Sequence, residues 1–208
     1  MTDLKPPGAT PTPLAPAQSA ASDAARWDAR YRAGDHDGSS VHPWLLAQAG
    51  ALPARGRALD LAGGSGSLAV WLAQRGLDVT LSDVSQVALE LAATRAASAG
   101  VNLKRVCVDL SAEAEAARLL SGGWCLITCT NYFQPDLFSA IHSALEPRGL
   151  FVFAQPTLYN LERHAKPSAR FLIDTAAQRH LFDAFELIEV FEGWTERGTH
   201  ELRVIARR

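Results

Sequence analysis

Residues 58–67, Ala58-Leu59-Asp60-Leu61-Ala62-Gly63-Gly64-Ser65-Gly66-Ser67, hold the chemistry of this chain at its densest. An apolar run passes an acid, turns through three glycines and enters a helix over residues 68–74. A second acid, Asp83, closes the next apolar run, Leu77-Asp78-Val79-Thr80-Leu81-Ser82. A third, Asp109, closes the run over residues 103–108. Glycine lets a backbone come against a ligand where a Cβ would clash. An acid at the end of a strand can accept both hydroxyls of a ribose. The layout is that of a nucleoside-cofactor site at the edge of a parallel sheet.

Two cofactor classes compete for this site. Gly64-Ser65-Gly66-Ser67-Leu68-Ala69 fits G-x-G-x-x-A, the dinucleotide fingerprint, which sets a pyrophosphate on a helix N-terminus. Asp60, Gly64 and Gly66 fit the competing pattern Asp-x-Gly-x-Gly-x-Gly. A carboxylate just before the turn repels a pyrophosphate and suits S-adenosylmethionine (SAM), which carries an ammonium and a sulfonium. The sequence therefore favours SAM. A nicotinamide-dependent oxidoreductase and a non-catalytic SAM-binding protein are the alternatives.

The elements that position these residues follow from the apolar pattern. Strands are expected at 57–61, 78–82, 103–108, 124–128 and 150–154. Helices are expected between them at 66–75, 85–99, 111–121 and 134–145, the last closed by Pro147-Arg148-Gly149. Ser85 caps the second of these helices and Gly76 and Gly100 stop two of them. Alternation of this kind implies an α/β fold, a Rossmann-like doubly wound parallel sheet. Residues 23–31 and 44–49 read as entry helices around the loop 34–40, with Trp27 and Tyr31 on one face. Residues 169–181 read as a further helix. Residues 185–191 and 200–206 have no helix between them and pair as a C-terminal antiparallel hairpin.

Composition bounds the rest. The 208 residues are 48% hydrophobic and 20% charged, enough for one buried core. Residues 1–22 are rich in Pro and Ala and read as a disordered tail, leaving 23–208 as one domain. A net charge of −2 gives no broad basic surface to follow phosphates, so nucleic acid is not an expected partner. No apolar run is long enough to span a membrane. Three cysteines do not suggest a disulfide framework, so a cytoplasmic setting is expected.

Taken together, Trp27-Asp28-Ala29-Arg30-Tyr31, Ala58 to Gly66, Leu77 to Ser85 and Glu192-Gly193-Trp194 resemble the class I SAM-dependent methyltransferases over about residues 24–208. Within that superfamily the chain resembles the small-molecule group of tellurite- and thiopurine-type enzymes. The resemblance implies seven strands ending in the antiparallel hairpin, and methyl transfer to a small-molecule acceptor: a thiol, chalcogen oxyanion, amine or hydroxyl. It also implies cofactor contacts from Asp60, Ala62, Gly63, Gly64 and Gly66 around the turn. Asp60, through water, and Gly64 would hold the amino-acid end. Asp83 would take the ribose hydroxyls, and Val84, Asp109 and Leu110 would meet the adenine. Asn131 would line the methyl-transfer pocket, and Trp27, Arg30 and Tyr31 would lie over the cofactor.

Two positions depart from that pattern. Ala62 replaces the first glycine, which is tolerable if it keeps a negative φ. The segment Asn131-Tyr132-Phe133-Gln134-Pro135 lacks an arginine at Gln134, which argues against an anionic acceptor, and is not the Asn-Pro-Pro-aromatic signature of base methylation.

Displacement at a sulfonium needs alignment and exclusion of water more than proton transfer. An amine or hydroxyl acceptor would want a base nearby. Tyr132, His36 and His164 are the catalytic candidates, with His42 a further histidine in an entry segment. Each histidine also reads as an ordinary surface residue, and Tyr132 as a buried structural phenol. Cys125 and Cys129, four apart on one strand, share a face in a regular strand. With Cys107 they read as small core residues rather than metal ligands. Arg163, His164 and Lys166 form a basic cluster that reads as a solvated loop, and Trp194 as the hairpin's anchor.

Overall fold

The fold begins from short apolar runs that cannot stand alone and bury both faces. The computed structural model of the chain describes residues 20–34 and 40–208. The tail expected over 1–22 falls outside them as far as residue 19, and so does His36. Helix α1 (Ala20–Arg32) and helix α2 (Pro43–Ala47) lead into strand β1 (Arg57–Leu61). Then come α3 (Ser67–Gln74), β2 (Asp78–Asp83), α4 (Gln86–Ser98), β3 (Lys104–Cys107), α5 (Glu113–Leu119), β4 (Trp124–Thr130), α6 (Leu137–Ala144) and β5 (Leu145–Pro156). The chain closes with α7 (Thr175–Gln178), β6 (Glu186–Trp194) and β7 (His200–Arg207).

The strands form one seven-stranded sheet in the order β3-β2-β1-β4-β5-β7-β6. Strands β1 to β5 pair in parallel; β7 is antiparallel to both β5 and β6. The chain runs outward from β1 to β3 and then returns to the other side of β1 as β4. That reversal opens a crevice at the carboxyl ends of β1 and β4, where open α/β sheets bind ligands.

Alternation along each strand divides two cores. Ala58, Leu126 and Val152 meet Leu68, Leu72 and Leu89 of α3 and α4 on one face. Leu59, Ile127, Phe151 and Phe153 meet Phe138 and Ile141 of α6 on the other. There Phe138 sits edge-on to Phe151, Phe153 and Phe182, at 5.6, 5.4 and 5.1 Å between centroids. Edge-to-face geometry of this kind adds to the area term. Among the described residues no helix is long and apolar enough to cross a membrane.

Four expectations are corrected. Residues 169–181 are not one helix. A 3-10 turn (Ala169–Phe171) gives way to extended Leu172 and Ile173, then α7 and a second 3-10 turn (Arg179–Phe182). Leu172 and Ile173 are both buried, Ile173 bridges Thr157 in parallel, and the Asp174 carboxylate caps Ala176 and Ala177 to start a new helix. Pro147-Arg148-Gly149 does not close α6, because β5 already begins at Leu145. Those residues are an irregularity inside it, with Arg148 at φ +68°. The register shift between Trp124 and Leu126 opposite also turns Cys125 toward the α3/α4 core, whereas Cys129 is buried in the other. Cys107 is exposed rather than core.

Candidate functional site

The glycine turn is shaped by what lies under and over it. Asp60 lies in the buried stretch of β1, one residue before its end, flanked in register by Leu81 and Thr128. A Cβ at Gly63 would collide with the Asp60 carboxylate and Leu81, and one at Gly64 with the Tyr31 hydroxyl. Gly64 and Gly66 also take the left-handed backbone, at φ +57° and +77°. Ala62 does the same at φ +50°, so the condition under which its methyl is tolerated without strain is not met. Its Cβ is therefore held in a region that costs a non-glycine residue about 1–2 kcal/mol. Gly66, expected to touch the cofactor, is not among the residues lining the cavity, and a Cβ there would meet Ala92 of α4.

Three acids converge at the ends of β1, β2 and β3. Asp60 is fully buried; its Oδ1 accepts from the Thr128 hydroxyl at 2.7 Å, while Oδ2 makes no hydrogen bond. Burial pushes its carboxyl up to about 7; the Thr128 bond works against this, Asp83 reinforces it, and the nearby Ala69 amide opposes it. Asp83 is 8% exposed, with Oδ2 accepting from Gly64 N at 2.9 Å and Oδ1 from Ser85 N at 2.8 Å. Burial raises its pKa as well, against the pull of those backbone bonds. Asp109 accepts from the Ser111 amide and hydroxyl at 2.9 and 2.7 Å through Oδ1, and its Oδ2 is buried without a partner.

All three acids line a single cavity of about 550 Å³, within the roughly 300–1,000 Å³ of small-molecule sites. Ala62, Gly63, Gly64, Val84, Leu110 and Asn131 line it too. Helix α1 lies across it. Trp27 and Tyr31 face in, their rings 6.2 Å apart. Burial, followed by the Asp83 charge, pushes the Tyr31 phenol up to about 12. Arg30 is exposed and does not face the cavity; its guanidinium stacks on Trp27 at 5.0 Å, so it braces the cover from outside. Asp28, given no role above, docks α1: its Oδ1 accepts from Ser85 Oγ at 2.6 Å and Val87 N at 3.2 Å. The Trp-Asp pairing in the entry helix carried that signal.

The far end of the cavity belongs to β4, β5 and the hairpin. Asn131 leaves β4 at φ +59°, its N–H donating to Ala154 O. Tyr132 donates its hydroxyl to Gln134 Oε1 at 2.8 Å, and burial pushes the phenol's pKa up, which favours the neutral donor over the phenolate a base would need. His42 does line the cavity, but Nδ1 accepts from Trp44 N and Nε2 points to Glu201 Oε2 at 3.2 Å. Both ring nitrogens are thus engaged. His164 stands outside the cavity, against Gly198 O and the Trp194 ring. Arg163 stacks on that same ring at 3.7 Å, so these two residues of the basic cluster pack against the hairpin. Gln155 and Phe171 were missed at this end. The only sequence signal for Gln155 was a polar residue closing the apolar run 150–154.

A family model described as "Methyltransferase domain" matches residues 58–149, from β1 to the start of β5. The match thus covers the glycine turn and the ends of β1, β2 and β3. Solved structures agree on the fold around it. TehB from Haemophilus influenzae superposes with a TM-score of 0.67 at 15% identity, over 86% of this chain and 66% of that one. A TehB-like SAM-dependent methyltransferase from Corynebacterium glutamicum superposes with a TM-score of 0.61 at 17% identity, over 89% and 98%. Magnesium protoporphyrin IX methyltransferase from Synechocystis, solved with bound S-adenosylhomocysteine (SAH), gives 0.60 at 20% identity, over 80% and 79%. No curated protein matches the chain. The fold is that of the class I methyltransferases, and SAM is the cofactor of that superfamily.

The residues around the glycine turn fit that cofactor on their own chemistry. A fully buried carboxylate with an unpartnered oxygen asks for a cation or a donor. The turn above it is one that a Cβ would fill.

Proposed function

We propose that the chain transfers the methyl group of SAM to a small-molecule acceptor, with residues 23–208 acting as one catalytic unit. The observation that carries this reading is Asp60 Oδ2, buried and unpartnered beneath the glycine turn in a cavity it shares with Asp83 and Asp109. A pyrophosphate would add negative charge to a site that already holds three acids.

In this reading Asp60 and the Gly64 backbone hold the amino-acid end, with Ala62 and Gly63 shaping the turn. Asp83 accepts from the ribose hydroxyls, using lone pairs its two backbone partners leave over. Val84, Asp109 and Leu110 receive the adenine, and Asn131 borders the place of transfer. When bound, SAM supplies an electrophilic methyl on a sulfonium. The protein's part is then alignment and dryness. Trp27 and Tyr31 exclude water from above, and α1 is pinned in place through Asp28. Tyr132 and His42 offer no free basic lone pair, so the acceptor arrives as its own nucleophile. Net charge −2 and three free cysteines fit a cytoplasmic protein with a small-molecule partner rather than a nucleic acid.

Calorimetric titration with SAH and, separately, with NADH tests this reading. Micromolar SAH binding with no NADH binding is the expected result. Binding of NADH alone would overturn it.

A further inference from the structure

The cavity continues past the three acids to the carboxyl end of β5, where Gln155 is the odd side chain. It is 2% exposed and belongs to the cavity wall. Its Nε2 donates to Phe171 O at 2.6 Å, which settles which end of the carboxamide is nitrogen. Its Oε1 is buried with no partner. Buried acceptors in folded proteins are nearly always paired, and one left open in a cavity wall marks where a ligand's donor belongs.

The strand order says which ligand that is. Asp60, Asp83 and Asp109 stand at the ends of β1, β2 and β3, on one side of the crevice. Gln155 stands on β5, with β4 and Asn131 between it and Asp60. The oxygen therefore faces the acceptor, not the nucleoside. The Tyr132 hydroxyl, which also lines the cavity, goes to Gln134. Tyr132, Phe133 and Phe171 supply aromatic surface to the cavity wall. The Arg26 guanidinium lies 5.6 Å from the Phe171 ring and is paired with Asp23 at 3.0 Å. The contact between Arg26 and the Phe171 ring ties α1 to the segment Gln155 holds.

Resting on the SAM reading above, we infer that Gln155 Oε1 accepts a hydrogen bond from a hydroxyl or N–H of a ring-sized methyl acceptor. This chooses among the acceptor classes: an aromatic alcohol or amine satisfies the oxygen, whereas a thiolate brings it no donor. Gln155 orients the acceptor and takes no proton.

The test uses the full chain loaded with SAH and matched probes that differ only by the donor hydrogen: phenol against anisole, and aniline against N,N-dimethylaniline. Ligand-observed NMR should show the donor-bearing member of each pair binding at least tenfold tighter. In Gln155→Met that preference should vanish while SAH affinity is unchanged. Equal binding within the pairs, no binding of any probe, or a preference that survives in Gln155→Met each overturns the inference. The wild-type comparison decides the matter even if Gln155→Met fails to fold. Failure of SAH to load would bring down the cofactor reading and this inference with it. SAH loading without discrimination would bring down this inference alone.

Discussion

The Asp28 carboxylate takes a 2.6 Å hydrogen bond from the Ser85 hydroxyl, joining the cover helix to the N-terminus of α4. Ser85 Oγ in turn accepts from Ala88 N, and Ser85 N donates to Asp83, whose other oxygen holds Gly64. One chain of hydrogen bonds thus runs from α1 to the glycine turn. The Ser85 bond holds the Asp28 carboxyl below its usual range. Asp28→Ala should cut SAH affinity about tenfold, the equivalent of about 1.5 kcal/mol for a bond to a charged group. Melting temperature should change little, because neither core loses a contact. Hydrogen exchange in residues 20–32 should rise. If exchange and affinity both match the wild type, α1 is not held this way.

Asp83→Asn keeps the shape and removes the charge. Its amide would present N–H to one of two backbone N–H donors, Gly64 or Ser85, that now share the carboxylate. Losing a charged acceptor costs about 1.5–3 kcal/mol, or roughly 10- to 150-fold in SAH affinity. Calorimetry on the variant checks this, and an unchanged dissociation constant would remove Asp83 from the ribose role.

How much of this was legible in the sequence depended on how local each signal was. The strands around Asp60 and Asp83 were readable because an apolar run ending in an acid and a glycine turn is a local pattern, and Ser85 caps α4 by its own side chain. The hairpin was readable because residues 192–199 leave no room for a crossover. What was not legible depended on partners far along the chain. Leu172 and Ile173 look helical by spacing, yet pairing with Thr157 pulls them out straight. Cys125 shares a face with Cys129 only in a strand without a register shift. Gln155 shows its meaning only when Phe171 is found to take its nitrogen and nothing takes its oxygen.

Ala62 stores strain that a glycine would release. At φ +50° its Cβ opposes the left-handed backbone by about 1–2 kcal/mol, while glycine loses about 0.5–1 kcal/mol more entropy on folding. Ala62→Gly should therefore stabilise the protein by about 0.5–1 kcal/mol. The urea midpoint should rise with an unchanged slope. A lower midpoint would mean that the Ala62 methyl packs more strongly against Leu61's core than the backbone resists.

Asp60 sets how the site responds to pH. Burial pushes its carboxyl up to about 7 from an ordinary 3.8. Between about pH 4 and 7 the folded chain holds a proton that the unfolded chain has lost. Stability of the ligand-free protein therefore falls as pH rises through that window and levels off above it. A ligand bringing an ammonium to Asp60 favours the carboxylate, so binding must expel the proton below pH 7. SAH affinity should climb by up to about tenfold per unit below 7 and flatten above it. Calorimetry between about pH 5.5 and 8, in two buffers of different ionisation enthalpy, reads both the affinity and the released proton. Asp60→Asn should bind weakly at every pH with no slope. A wild-type affinity that stays flat across the range, with no proton released, would mean that Asp60 does not meet the ligand's charge.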